Sequence, residues 1–177
     1  LFCPYPWDDP AALQVAFEQA VEQAAAQIDD SYLMEIADCD TIGHFFLWKA
    51  GGNPHSQRYQ LQVPELGVAI ADEWQGRGLG GLSVRLLQAV ARSLHADAIE
   101  LTTAQSNEVG WRAYQRCGFE YTGIINIPLG VDVTAAAPGE AKAATYRPER
   151  QMVYLIDGAK RHTVLDYSAT NRAFVHG

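Results

Sequence analysis

A glycine-rich turn is the segment of the sequence best suited to binding an anion. It lies between an apolar run and an amphipathic helical pattern, and its residues are Gln75, Gly76, Arg77, Gly78, Leu79, Gly80 and Gly81. At the start of a helix, free backbone N–H groups and the helix dipole attract negative charge. Glycines let phosphate oxygens approach those amides because they carry no Cβ, and Arg77 adds a cation that can contact a phosphate. The turn therefore predicts a phosphate-binding loop.

Two other interpretations of this turn are open. Gly76, Gly78 and Gly81 also satisfy the dinucleotide-binding spacing G-x-G-x-x-G, and Glu100 lies about where a ribose-binding acid is expected. In a dinucleotide fold the first glycine follows its strand directly, whereas residues 72–75 intervene here. The second alternative is a structural turn that binds nothing. We favour a phosphate ligand other than a dinucleotide.

Strand and helix patterns flank the turn. The apolar run at residues 66–71 precedes it and is typical of a strand buried on both faces. Apolar residues recur at helical spacing from Leu82 to Leu94, and a further strand is expected at 98–103. Upstream, a helical pattern covers residues 8–28, and two strand-like segments at 32–37 and 42–48 suggest a hairpin.

The second half of the chain continues the alternation. Ser106 or Asn107 can cap a helix that Gly118 ends. Strands are expected at 119–127 and 151–156. The segments without periodicity, which we interpret as loop and tail, are 128–148 and 158–177.

Two motifs together resemble those of the GNAT family of N-acetyltransferases. The pattern Gln75-x-x-Gly78-x-Gly80, between a strand and a helix, is similar to the coenzyme-A loop of that family. The residues that resemble its second motif are Asn107, Ala113, Tyr114 and the corner Cys117-Gly118-Phe119. The resemblance covers residues 65–119, about a third of the chain. Two motifs in the right order are more specific than either alone.

The resemblance implies a fold and an activity. The expected fold is α/β, with a mixed, mostly antiparallel central sheet flanked by helices and the coenzyme at a splay between two central strands. We expect one acetyltransferase domain at residues 1–157, followed by a C-terminal tail at 158–177. The implied reaction is direct attack of a primary amine on acetyl-coenzyme A (acetyl-CoA), the acetyl donor.

The resemblance also implies roles for the coenzyme-binding residues. The backbone of Val68, Ala69 and Ile70 would pair with the pantetheine arm as a neighbouring strand does. The pyrophosphate would lie on residues 75–81. Asn107 would contact the coenzyme or the thiolate side of the gap, although a helix cap is an equally open role for it.

Two residues are candidates for the chemistry. Tyr114 lies at the proton-donor position of the family, and a phenol with a pKa near 10 can donate to a thiolate whose conjugate acid has a pKa of roughly 8.5. Its alternative is a core aromatic residue beside Trp111. Glu65 is the candidate general base, because an alkylammonium with a pKa of roughly 10.4 must lose a proton before attack. Its alternative is a solvated carboxylate at a strand edge.

The identity of the acceptor stays open among small amines, polyamines, aminoglycosides and protein amines. Relatives that acetylate protein N-termini carry a glutamate near the start of the second-motif strand, where this chain has Thr102, which argues against a terminal amine. The net charge of −8 argues against nucleic acid as a partner and slightly favours a small cationic amine. A homodimer is compatible with this composition.

Composition sets further expectations. Cys3, Cys39 and Cys117 are far apart, and no histidine falls into ligand-like spacing with them, so we expect neither disulfides nor a metal site. No apolar run approaches the roughly 20 residues of a membrane span. We therefore expect a cytoplasmic protein that does not bind membranes.

Two alternatives to this activity are open. One is a non-catalytic acyl-coenzyme-A-binding or regulatory domain, in which the phosphate loop persists without turnover. The other is an enzyme that transfers a longer acyl group.

Overall fold

The computed structural model describes residues 29–35, 41–48, 54–128 and 146–174 of the 177-residue chain. The predicted first helix at 8–28 lies outside these ranges. The strands are β1 Asp29–Glu35, β2 Thr41–Trp48, β3 Glu65–Ile70, β4 Ala98–Ala104, β5 Glu120–Pro128 and β6 Tyr146–Leu155. The helices are α1 Pro54–Tyr59, α2 Leu79–Ser93, α3 Glu108–Arg116 and α4 Arg161–Phe174.

The six strands form one sheet in the order β1-β2-β3-β4-β6-β5. Every neighbouring pair is antiparallel except β3 and β4, which are parallel. The predicted hairpin is the β1–β2 pair. The predicted α/β architecture, a mostly antiparallel mixed sheet with helices against it, is confirmed.

The parallel pair at the centre of the sheet is joined at one end. Its one register pair is Glu65 with Glu100, and the N–H of Glu100 donates to the carbonyl of Pro64 at 3.0 Å. Beyond Glu65, no described strand pairs with β3 on the side that faces β4, whereas β6 pairs with β4 along its whole length. A gap therefore opens between the carboxyl-terminal halves of β3 and β4.

Helices cover both faces of the sheet. Helix α2 buries Val84, Leu87 and Ala91, a stripe at helical spacing, against one face. Helix α4 buries Val164 and Tyr167 against the other face. Adjacent strand residues alternate between the two cores, so Met152 belongs to the first and Val153 to the second.

The interpretation of residues 158–177 as a tail is wrong over most of its length. A short 3₁₀ turn at Gly158–Lys160 leads into α4, which packs on the sheet. The inward stripe of α4 contains Val164, Tyr167, Ser168 and Asn171, all of them buried. This i, i+3, i+4, i+7 spacing is helical, but half of its members are polar, so apolar periodicity alone does not show it.

The loop predicted at 128–148 is also too long at its end, because β6 begins at Tyr146 and includes Pro148. Pro148 pairs with Asn126 of β5 and lies just before Glu149, where the pairing of β6 with β4 begins. A proline is tolerated there because one side of the strand has no ladder hydrogen bond to lose. The rest of the predicted loop lies outside the described residues.

Candidate active site

The gap between β3 and β4 opens into a groove with a volume of about 630 Å³. Its walls are the end of β3, the glycine-rich turn, the start of α2 and one side of α3. The predicted residues that line it are Val68, Ala69, Ile70, Gln75, Gly76, Gly78, Leu79, Gly80, Gly81, Asn107 and Tyr114. The two motifs of the sequence therefore meet across one groove.

The glycine-rich turn presents bare backbone to this groove. Gly76 and Gly78 have φ of 75° and 83°, a conformation that side chains disfavour. At Gly76, Gly78, Gly80 and Gly81, no atom of the described residues lies within 4 Å of the position that a Cβ would take, apart from the chain neighbours and the local helix backbone. No described side chain caps the first turn of α2, so its N–H groups are available to an anion. A pyrophosphate fits this cradle.

Two predicted side chains of the turn bind the protein itself. Gln75 Nε2 donates to the carbonyl of Ile70 at 3.0 Å and to Asp72 Oδ1 at 2.9 Å, which ties the turn to the end of β3. Arg77 lies over the Trp74 ring, with its guanidinium carbon 4.3 Å from the ring centroid, and donates to the carbonyl of Glu73 at 3.2 Å. Gln75 therefore fixes the shape of the loop, and Arg77 lies outside the groove lining.

The end of β3 offers a free strand edge. Val68, Ala69 and Ile70 pair with β2 on one side, where Val68 faces Phe45. On the other side, among the described strands, their backbone groups have no ladder partner. An extended chain of amides could add there as a further strand.

Asn107 is the N-cap of α3. Its Oδ1 accepts from the N–H of Gly110 at 3.0 Å, and its Nδ2 donates to Thr103 Oγ1 at 3.0 Å. The predicted cap is therefore present. Both polar atoms of the side chain have partners within the protein, although the residue also lines the groove.

Tyr114 lies on the groove side of α3. Its ring packs edge-on against Phe119 with the centroids 5.9 Å apart. Burial, and to a smaller extent the neighbouring Cys117, raises the pKa of Tyr114 to about 12. The phenol is therefore protonated at neutral pH and able to donate a hydrogen bond into the groove.

Glu65 lies where the gap closes, at the register pair of β3 with β4. Burial raises its pKa from about 4.5 to about 7, and the charges of Glu100 and Glu149 add to the effect. A freely solvated edge carboxylate does not fit this environment. Among the described groups, Glu65 is thus a carboxylate that can exchange a proton near neutral pH.

The side chain of Glu65 faces away from α2 and α3. Leu66 and Val68, its neighbours in the alternation, belong to the core under those helices. Glu100, in register with Glu65, accepts hydrogen bonds from Tyr167 Oη at 2.6 Å and from Gln151 Nε2 at 3.3 Å. A buried polar cluster therefore lies beneath α4, on the opposite face of the sheet from the core under α2 and α3.

Sequence reasoning missed two cations of the groove. Arg85 on α2 and Arg116 on α3 both line it. Neither forms an ion pair with a described residue, and no acidic side chain lines the groove in the described part of the chain. In a chain of net charge −8, this local excess of positive charge suits a phosphate-bearing ligand. The signal was their position: Arg85 lies one helical turn after the glycine-rich turn, and Arg116 lies within the second motif, between Tyr114 and Cys117.

Within residues 29–35, 41–48, 54–128 and 146–174, no group of three or more His, Cys, Asp or Glu side chains could hold a metal ion. None of the helices in the same ranges is long and apolar enough to cross a membrane.

Comparisons with known proteins agree with this geometry. A family model described as an acetyltransferase (GNAT) domain matches residues 2–120. Ribosomal-protein-alanine N-acetyltransferase from Brucella melitensis is 15% identical with a TM-score of 0.60, covering 81% of this chain and 78% of that chain. A variant of spermidine N-acetyltransferase from Vibrio cholerae is 20% identical with a TM-score of 0.57, covering 81% and 75%.

A third solved structure contains the coenzyme. An acetyltransferase from Bacillus subtilis in complex with CoA is 20% identical, with a TM-score of 0.55, and the match covers 78% of this chain and 84% of that chain. No curated protein matches the sequence significantly. At these identities the solved structures establish the fold that the chain shares with them.

Proposed function

Because the chain belongs to the GNAT acetyltransferase family, we propose that it transfers the acetyl group of acetyl-CoA to a primary amine by direct attack. The observation that carries this proposal is one groove that combines an open glycine cradle with a free strand edge. A carboxylate, that of Glu65, lies at the closed end of the gap, on the other face of the sheet. These three parts match the phosphates, the amide-containing arm and the reacting end of acetyl-CoA.

The protein would bind the donor mainly through its backbone. The N–H groups at the start of α2 would hold the pyrophosphate, with Gly76 and Gly78 supplying the left-handed turn. The free edge of residues 68–70 would pair with the pantetheine amides. Such binding would put the thioester between Tyr114 on one side and the closed end of the gap on the other.

Glu65 is proposed as the general base. An alkylammonium has a pKa of roughly 10.4, so a carboxylate of ordinary acidity is a very weak acceptor for its proton. Raising the pKa of Glu65 from about 4.5 to about 7 brings it closer to the pKa of the alkylammonium, so the carboxylate accepts the proton more readily. Much of the carboxylate is still ionised at neutral pH. The proton leaves the amine as its nitrogen bonds to the acetyl carbon.

Tyr114 is proposed to stabilise the departing thiolate. The conjugate acid of that thiolate has a pKa of roughly 8.5, well below the value of about 12 for Tyr114. Complete proton transfer from the phenol is therefore uphill, and a hydrogen bond from its O–H is the favoured contribution. Because the phenol is partly buried against the core, that bond acts in a medium of lower dielectric than water, where it is stronger.

For the acceptor we propose a cationic primary amine. The carboxylates of Glu65, Glu100 and Glu149 lie on the sheet face that α4 covers, and their charge would attract an ammonium group at long range. The relatives named above include a spermidine acetyltransferase and a ribosomal-protein-alanine acetyltransferase. The relatives thus include both a small-amine and a protein-amine enzyme, and the negative charge favours the small amine.

The test is thiol release from acetyl-CoA on a panel of amines, together with calorimetric titration of acetyl-CoA, CoA and NAD. The panel should pair each polyamine and aminoglycoside with a neutral primary amine of similar size and with an amine-bearing peptide. We expect acetyl-CoA to bind and thiol release to be fastest with cationic amines. Binding without thiol release on any amine would favour a non-catalytic acyl-coenzyme-A-binding domain, and binding of NAD alone would exclude both.

A further inference from the structure

Two carboxylates lie side by side at the closed end of the gap, and the proposed reaction uses one of them. Glu65 and Glu100 are the register pair of two adjacent parallel strands. Their side chains therefore leave the same face of the sheet, from strands about 4.8 Å apart. Neither carboxylate forms an ion pair with a described residue. The proposed reaction gives the other member of the pair, Glu100, no role.

Hydrogen bonds stabilise the charged form of Glu100, although burial leaves its pKa raised. Its Oε1 accepts from the Tyr167 hydroxyl at 2.6 Å, its Oε2 accepts from Gln151 Nε2 at 3.3 Å, and Asn171 gives a further hydrogen bond. Arg172 donates to Oε1 of the same Gln151 at 2.9 Å, which polarises the amide toward Glu100. Burial raises the pKa of Glu100, and these three donors oppose that rise.

Glu65 has none of these donors. No hydrogen bond from a described side chain to its carboxylate is seen, so the anionic state is stabilised on Glu100 and not on Glu65. Two adjacent carboxylates without a cation do not ionise independently, since the first charge opposes the second. The proton of the pair should therefore reside on Glu65 until the pH approaches neutrality.

On the basis of the proposed function, we propose that Glu100 is a positioning residue: held as an anion by Tyr167, Gln151 and Asn171, it makes Glu65 a stronger acceptor for the substrate proton. In this arrangement Glu100 contacts neither the amine substrate nor acetyl-CoA. It acts through the charge that it places beside the base.

The other ionisable groups around Glu65 have weaker or opposed effects. Glu149 is buried and also raises the pKa of Glu65, but Arg147 donates to its Oε1 at 2.7 Å and offsets its charge. Tyr167 faces the pair as a neutral phenol, because burial raises its pKa well above the usual range. On β2, His44 is hydrogen-bonded to Ser31 at 2.6 Å and lies across from Ala69, four residues along β3 from Glu65. Glu100 is thus the uncompensated anion beside the base.

The experiment is the pH dependence of kcat/KM with the best amine of the panel, for the wild-type protein, Glu100→Gln and Tyr167→Phe. The matched control is Glu120→Gln, which removes an exposed carboxylate paired with Arg161. We expect Glu100→Gln to shift the acidic limb of the profile to lower pH by at least about one unit and to lower the high-pH plateau roughly threefold, because the base becomes weaker. Tyr167→Phe should shift the acidic limb in the same direction, and Glu120→Gln should leave the acidic limb where it is in the wild type.

A second readout separates this inference from the proposed function. The carboxyl carbon of Glu65, followed by NMR titration of the coenzyme-free protein with ¹³C-labelled glutamate, should show a lower titration midpoint in Glu100→Gln than in the wild type. Unchanged midpoints and unchanged profiles in folded variants, judged by circular dichroism and by acetyl-CoA binding, would overturn the role of Glu100 while leaving the acetyltransferase intact. If the midpoint shifts in a protein that acetylates no amine, the effect of Glu100 on Glu65 stands and the proposed acetyltransferase activity is rejected.

Discussion

At the scale of single residues, Tyr114 separates catalysis from binding. Replacing it by Phe keeps the ring that packs on Phe119 and removes the hydroxyl proposed to bond the thiolate. We expect kcat to fall by roughly 10²-fold, a typical contribution of a proton or hydrogen-bond donor in the transition state, with the Kd for acetyl-CoA unchanged. Steady-state kinetics and calorimetry measure the two quantities. Tyr121→Phe, which alters an exposed tyrosine outside the groove, serves as control.

Arg85 should contribute to donor binding through charge. It lines the groove without an ion pair to any described residue. We expect Arg85→Gln to weaken acetyl-CoA binding about fivefold at low salt and less at high salt, since an exposed phosphate contact is screened. Titrations at two ionic strengths test this. Arg112→Gln removes a cation of α3 that pairs with Glu108, and an equal loss in that variant would argue against a contact at Arg85.

The two carboxylates show where residue-level prediction from the sequence ends. Glu65 could be predicted as a candidate base from the sequence alone, because it begins the strand that precedes the glycine-rich turn. The sequence suggests Glu100 only as the ribose-binding acid of the dinucleotide alternative, since strand register is set by tertiary pairing and not by local pattern. The raised pKa of Glu65 follows from that register and from burial, neither of which a linear sequence displays.

At the scale of elements, the glycine-rich turn should be sensitive to a single methyl group. Gly78 has φ of 83° and caps α2. A Cβ there meets no atom of the described residues within 4 Å beyond its chain neighbours, so Gly78→Ala costs only backbone strain, about 1–2 kcal/mol. The added methyl group would also fill space that the proposed phosphate occupies. We expect a lower melting temperature and at least tenfold weaker acetyl-CoA binding. Gly158→Ala, also in open space but without positive φ, should change neither.

Helix α4 and the start of β6 show which elements local patterns miss. The hairpin, the strand before the turn and the helix after it have unbroken apolar spacing, and all were predicted. The buried stripe of α4 includes Ser168 and Asn171 because it covers a polar cluster, so its apolar signal is halved. Buried polar residues thus conceal the helix that carries them from a search for apolar periodicity.

At the scale of the whole molecule, the buried carboxylates should make stability depend on pH. The pKa of Glu65 is raised on folding, so the folded state binds its proton more tightly, and the stabilisation is present below about pH 4.5 and lost as the pH rises toward 7. Glu65→Gln should therefore gain free energy of unfolding relative to the wild type between pH 5 and pH 8, by up to about 3 kcal/mol. Urea unfolding at the two pH values measures the difference.

The control for that prediction has the opposite sign. Hydrogen bonds from Arg161 lower the pKa of Glu120, so its contribution is present at neutral pH and lost in acid. Glu120→Gln should thus lose slightly more stability at pH 8 than at pH 3. If Glu65→Gln followed the same direction as Glu120→Gln, burial of Glu65 would not be the cause of its shift.

The architecture of the molecule was predictable because two short motifs fix the central strand, turn and helices, and the mixed sheet follows from the order of the elements. The strand order β4-β6-β5 was not, since inserting the last strand between two earlier ones is a long-range pairing without a local signal. The buried polar cluster beneath α4 depends on that order, because the order brings Gln151 and Glu149 of β6 alongside β4.

The single register pair between β3 and β4 makes the sheet incomplete in the free protein. On the proposed function, acetyl-CoA would occupy the open edge as a seventh strand, so part of the sheet would form only when the donor is present. A ligand that binds the folded state alone stabilises it by RT ln(1 + [L]/Kd), about 2.7 kcal/mol at one hundred times Kd. The lifetime of this protein in a cell would then follow the supply of its own substrate.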